Sequence, residues 1–261
     1  MTERQFVLTA MEENIFLITI DHPPVNSLNQ QTLLELESAF DEFTANATCK
    51  VAIITAGDKA VFVSGADLAE SEELIASGEI KDFILRGQRL FQKISESLKL
   101  VLAAINGLAL GGGMELALAC HIRIMAERAR LAQPEINLGI IPGWGGTQRL
   151  PQMVGLAKAR ELILSGESIS AQEALRLNLV NKIVPRKEVL KTARELARKI
   201  TRKGSLAVRA AMDSIRMSTQ MPMADGLAYE AGQVTRLIGS ADAREGLRAF
   251  LEKRQPVFRD K

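Results

Sequence analysis

Residues 100–120, LVLAAINGLALGGGMELALAC, are the one stretch apolar and long enough to be mistaken for a membrane span, and they carry one carboxylate, Glu115. A spanning helix would place Asn106, Glu115 and three adjacent glycines in hydrocarbon, where a central acid costs about 2.5–3.5 kcal/mol on insertion scales. The run therefore belongs inside a folded domain, as a buried strand leading into a buried helix. An ionised carboxylate buried there without partners would cost several kcal/mol or more, so Glu115 is either exposed or put to use.

The rest of the chain supplies the setting. NIFLITI (14–20), KVAIITAG (50–57), KLVLAAING (99–107), HIRIMAE (121–127) and VNKIV (180–184) are short, β-branched and bounded by turn residues, which predicts strands. Between them, QQTLLELESAFDEFTA (30–45) and EIKDFILRGQRLFQKISESL (79–98) repeat apolar residues at threes and fours, the helical period. Strands alternating with helices predict an α/β domain. From about Pro185 the strand signals stop, and residues 187–200, 205–219, 226–238 and 243–254 read as consecutive helices. Met212, Met217, Met221 and Met223 in this tail are expected to pack in a core or an interface.

Composition narrows the function classes. In 261 residues, 47% hydrophobic, 33 Lys and Arg stand against 31 Asp and Glu, a formal charge of +2 with no long run of one sign. That balance argues against a dedicated nucleic-acid or membrane-surface protein while leaving room for a local basic patch around an anionic ligand. Cys49 and Cys120 show neither CxxC spacing nor a disulfide framework, so a reduced cytoplasmic setting is expected. The polar, acidic start MTERQFVLTAMEEN predicts no signal or transit peptide. His22 and His121 have no carboxylate at triad or metal-ligand spacing; both are expected to be structural, and no metal site is expected.

A strand, a glycine-rich turn and a helix opening near Gly112 or Gly113 would present unpaired backbone N–H groups at the positive end of a helix. That geometry suits a phosphate, a carboxylate or a developing oxyanion, although the glycines taken alone equally permit tight helix–strand packing. GLALGGGM lacks the GxGxxG spacing of a dinucleotide fingerprint. Two further stretches bear on the choice: KAVFVSGADLAE (59–70), and LAQPEINLGIIPGWGGTQRLP (131–151), where Glu135 precedes another glycine-rich turn.

Together with NSL at 26–28, INGLALGGGMELALAC, SGESISAQEALRLNLVNKIV and the closing FLEKRQPVF, these motifs resemble the crotonase superfamily, most closely its enoyl-CoA hydratases, over essentially the whole chain. The resemblance implies an α/β spiral of ββα units over residues 1–200 and a helical trimerisation segment over 201–261. It implies a homohexamer, with a homotrimer as the next choice. It implies reversible hydration of a trans-2-enoyl-CoA, with CoA entering as part of the substrate and no further cofactor.

By the same resemblance, the backbone N–H groups of Ser64 and Gly112 form an oxyanion hole for the thioester oxygen. Glu115 is the water-activating base and Glu135 the acid that protonates C2. Gly143 helps hold the water, and the turn Ser64, Gly65, Ala66, Asp67, Leu68 contacts CoA. Ser64 stands where alanine is usual, and Trp144 where a small residue is common. Trp144 either lines and shortens the acyl pocket or packs under its turn. Lys253 and Arg254 either meet CoA phosphates or are simply solvated. Hydration of a cyclic, dienoyl or methylglutaconyl-type CoA and double-bond isomerisation remain alternatives, with RNA binding a remote one.

Overall fold

The computed structural model describes residues 4–57 and 60–260, so residues 1–3 of the polar start and Lys59, which opens the KAVFVSGADLAE run, lie outside the described residues. The chain begins with a hairpin the sequence reading did not predict. β1 (Val7–Glu12) pairs antiparallel with β2 (Ile15–Ile20). VLTAME has no clean apolar alternation because β1 is an edge strand that buries little beyond Val7. Its approach is fixed from outside: the buried Glu35 carboxylate accepts the N–H groups of Gln5, Phe6 and Val7 at 2.9, 2.7 and 3.0 Å.

β3 (Ser27–Leu28) leads into α1 (Gln30–Ala45), which coincides with the amphipathic run read from the sequence and is capped by the Asn29 side chain on Thr32 N. There follow β4 (Val51–Ala56), β5 (Val61–Val63), β6 (Gly65–Ala66), α2 (Leu68–Ser77) and α3 (Ile80–Ser95). Next come β7 (Leu100–Ile105), β8 (Leu108–Leu110), α4 (Gly112–Ala119), β9 (Ile122–Ala126) and β10 (Arg130–Ala132). A 3₁₀ turn over Glu135–Leu138 precedes α5 (Gly146–Ser165), whose two halves meet at the non-helical Gly155. β11 (Ile169–Ser170), α6 (Ala171–Arg176), β12 (Lys182–Val184) and α7 (Val189–Thr201) complete the sheet-bearing part.

The main sheet has the order β1-β2-β4-β7-β9-β12, parallel from β2 onward. A second sheet, β11-β10-β8-β5, stands beside it, and β3 pairs with β6. Successive pairs β4 and β5, β7 and β8, β9 and β10 each give one strand to the first sheet and the next to the second before the chain turns into helix. This repeat is the α/β spiral of ββα units that the resemblance implies. β4 and β7 are buried along their whole length, which is why they read as continuous apolar runs rather than alternating ones. α7 lies across β2, β4, β7 and β9, burying Val189, Ala193 and Ala197 at a spacing of four.

Beyond Thr201 the chain is helical, in α8 (Ser205–Met217), α9 (Met223–Ile238) and α10 (Ala241–Leu251). These helices bury little and leave Ile215, Leu227, Ile238, Leu247, Phe250 and Leu251 exposed. Met212 packs against the core, whereas Met223 is 78% exposed.

Candidate active site

Three turns meet at the start of α4, each leaving a strand of the second sheet or the short β3–β6 pair. Two glycines make the meeting possible by close approach. Gly65 (φ 110°) lies so near the β8–α4 junction that a Cβ there would stand 3.2 Å from the Leu110 carbonyl and 3.6 Å from Gly112 N. A Cβ on Gly112 would fall 2.4 Å from the ring of Trp144. The turn that carries Ser64, Gly65 and Ala66 therefore lies against the start of α4 at Gly112.

The NSL motif builds the first turn. Asn26, fully buried in a left-handed conformation (φ 56°), donates from Nδ2 to the carbonyls of Val61 and Phe62 at 3.0 and 3.2 Å, fixing the strand that delivers Ser64. Ser27 and Leu28 pair with Gly65 and Ala66. The Ser27 hydroxyl donates to Asp67 Oδ2 at 2.8 Å and is the main reason the Asp67 carboxyl is held below the usual carboxylate range. Asp67 in turn caps α2, accepting Glu70 N at 3.2 Å, with Leu68 as the first helical residue.

Glu115, in the first turn of α4, is 1% exposed. Its Oε1 accepts the backbone N–H groups of Trp144 and Gly146, both at 2.7 Å. Burial pushes its carboxyl up to about 7; the Gly146 N–H opposes that rise, the Glu135 charge adds to it, and Trp144 N–H and Arg149 oppose it. Glu135 opens the 3₁₀ turn and reaches the same junction: its Oε1 is 2.9 Å from the position of a Cβ on Gly111. Burial raises its carboxyl as well. The buried Gln133, with its amide nitrogen turned toward Glu135, donates to both carboxylate oxygens at 3.1 Å. Two carboxyl groups of raised proton affinity thus flank one set of helix-end N–H donors.

Gly143 lies on the same turn but is not one of the two donors to Glu115; its carbonyl accepts Gln88 Nε2 at 2.8 Å. Trp144 is 4% exposed, with edge-on contacts to Phe83 and Phe91 at centroid distances of 5.4 and 5.6 Å. A Cβ on Gly87 would overlap its Nε1 at 2.3 Å. The indole is therefore wedged between α3 and α4 while its ring edge touches Gly112.

The sequence reading missed three residues of this site: Gln133, Gly146 and Arg149. Gly146 was legible only as part of a glycine-rich block, and Gln133 only as an amide two residues before an acid. The histidines lie apart from the acid pair in structural roles. His121 Nδ1 accepts Val101 N at 3.0 Å, and burial lowers this imidazole to about 4. His22 bonds through Nδ1 to the Ser27 carbonyl at 2.7 Å and stacks on Phe6. The Arg254 guanidinium pairs with Glu245 and Glu252, each at 2.6 Å. Among the described residues no cluster of His, Cys, Asp and Glu is arranged to hold a metal, and no helix is long and apolar enough to cross a membrane.

The family described as enoyl-CoA hydratase/isomerase matches residues 10–261. The chain is 43% identical over 251 residues to a probable enoyl-CoA hydratase of Bacillus subtilis (strain 168), covering 96% of this chain and 97% of that protein. It is 41% identical over 254 residues to a crotonyl-CoA hydratase of Syntrophomonas wolfei, covering 97% of each. Its fold is similar to that of an enoyl-CoA hydratase from Bacillus anthracis, with a TM-score of 0.95 at 37% identity, covering 98% of this chain and 100% of that one. On the match along nearly its whole length and on the crotonase fold it adopts, the chain belongs to the enoyl-CoA hydratase/isomerase family.

Proposed function

We propose that this protein is a hydro-lyase that adds water reversibly to a trans-2-enoyl-CoA, giving the 3-hydroxyacyl-CoA. The observation that carries the reading is the pair Glu115 and Glu135, two buried or half-buried carboxyl groups of raised proton affinity beside the N–H groups that open α4. The thioester oxygen accepts the N–H groups of Ser64 and Gly112, which stabilise the charge that gathers there as the substrate becomes enolate-like. Glu115 takes a proton from water as its oxygen bonds to C3, and protonated Glu135 delivers a proton to C2. A base whose carboxyl titrates near neutrality suits both directions, since in dehydration the two groups exchange roles.

The finer assignments follow from the same reading. The backbone of Ser64, Gly65, Ala66, Asp67 and Leu68 holds the CoA portion, Gly143 N–H steadies the water, and Trp144 limits the acyl group. These steps use only acid–base groups and N–H donors, with CoA arriving as part of the substrate. The division at residue 200 separates a catalytic core from a segment for self-association. The exposed apolar residues of α8, α9 and α10 support assembly into a homohexamer, or a homotrimer as the next choice. Free, buried Cys49 and Cys120 fit a reducing cytoplasm.

The reading is tested with a panel of short linear, longer linear, branched and cyclic enoyl-CoAs, followed by loss of the conjugated-thioester absorbance. Hydration of at least one linear member is expected. Movement of a double bond without water uptake on every member would replace hydration with isomerisation.

A further inference from the structure

The turn that grips Glu115 is itself gripped. Arg149, in the first turn of α5, donates from Nη1 to the Trp144 carbonyl at 2.9 Å and from Nη2 to Gln92 Oε1 on α3 at 3.0 Å. Its guanidinium lies directly over the turn: a Cβ on Gly145 (φ 109°) would stand 2.1 Å from Nη1. Gly145 is thus required twice, for its left-handed backbone and for the space the guanidinium fills. One peptide unit on from that carbonyl, the Gly146 N–H points at Glu115 Oε1, as does the N–H of Trp144.

We propose that Arg149 is a positioning residue of the hydration site, acting through the 144–146 turn to hold Glu115 in place as the proton acceptor. The inference rests on the reading of Glu115 as the base. Arg149 acts by fixing the two donors that fix the acid, and a planar fork with two separated N–H groups is what joining Trp144 to Gln92 requires. It also acts by charge. The charged groups facing Glu115 are Glu135, which disfavours its ionised form, and Arg149, which favours it. Arg149 in turn faces Glu115, Glu96 and Cys120. Without its charge the Glu135 effect on Glu115 would lose the opposition that Arg149 supplies.

The test is the pH profile of kcat beside KM. In the hydration direction the base must be ionised, so activity falls as pH drops through its titration. Arg149→Gln should move that acidic limb to higher pH by about half a unit or more and lower kcat at neutral pH at least about fivefold, with KM within about threefold. Arg149→Lys keeps the charge and loses the fork, so its limb should stay in place while its plateau falls. Gln92→Leu, which removes only the Nη2 partner, should behave like the lysine variant, and these two carry the test if Arg149→Gln does not fold. A limb that does not move in Arg149→Gln, or an effect confined to KM, overturns the proposal. The carboxyl infrared band that disappears in Glu115→Gln gives a readout independent of turnover. If it titrates at the same pH with and without Arg149, the inference fails even though the wild type is a hydratase. If the wild type hydrates no member of the panel, the functional reading fails instead.

Discussion

The backbone N–H of Trp144 donates to Oε1 of Glu115 at 2.7 Å, while the indole of the same residue fills the space beside Gly112. One residue therefore touches the buried acid through its backbone and the start of α4 through its ring. Truncating the ring leaves the N–H in place and opens volume next to Gly112. Trp144→Ala should cost about 3–5 kcal/mol of stability, as for other buried aromatic truncations, visible as a lower Tm. It should also shift kcat/KM toward longer linear enoyl-CoAs by at least about tenfold relative to a four-carbon substrate. If every substrate changes by the same factor, the indole is only a packing residue.

Ser64 is assigned a role through its backbone. Ser64→Ala should keep most activity, whereas Ser64→Pro, which removes the N–H, should lower kcat by about 10²–10³. A severe loss in the alanine variant would instead make the hydroxyl a participant in the chemistry.

Asp67 joins the turn over residues 64–66, proposed to hold CoA, to α2 and to Ser27. Asp67→Ala removes a helix cap worth about 0.5–2 kcal/mol and loosens the turn. The expected kinetic result is a raised KM with kcat changed much less, measured on the best substrate of the panel. A fall in kcat at unchanged KM would place Asp67 in the chemistry rather than in binding.

The elevated carboxyl of Glu115 makes stability depend on pH in a defined sense. Its value in the folded state, about 7, lies above the ordinary 4.5, so the folded chain binds the proton more tightly than the unfolded one. That contribution is fully present below about pH 4.5 and is lost as pH rises through about 7. Glu115→Gln abolishes the dependence, so its Tm should exceed that of wild type at pH 8 and approach it at pH 5. The gap corresponds to a few kcal/mol at most, at about 1.4 kcal/mol per unit. Equal Tm differences at the two pH values would mean that Glu115 titrates as an ordinary surface acid.

How far the site could be read from sequence follows the length and locality of each signal. α1 was legible residue for residue because its sixteen residues keep a regular apolar period. β4 and β7 were legible as short β-branched strands, and β7 also as a buried one. β5, β6 and β8 were not read as separate strands, because two or three residues cannot display a period, yet these pieces deliver Ser64 and Gly112. The motifs pointed to Glu115, Glu135 and the glycine turns, but not to what holds them. The donors to Glu115 lie 29 and 31 residues away, and Gln92 is 57 residues from Arg149. Such partners are chosen by the fold, and spacing along the chain carries no trace of them.

If Glu115 and Glu135 share the work of hydration, as proposed, the decisive measurement is turnover by Glu115→Gln and Glu135→Gln on the best enoyl-CoA of the panel. An amide keeps the shape of each side chain and loses proton transfer, so each variant should fall by about 10²–10⁴ in kcat, with a far-ultraviolet circular dichroism spectrum like that of wild type. Either variant hydrating that substrate within about threefold of the wild-type rate would contradict the paired-acid account.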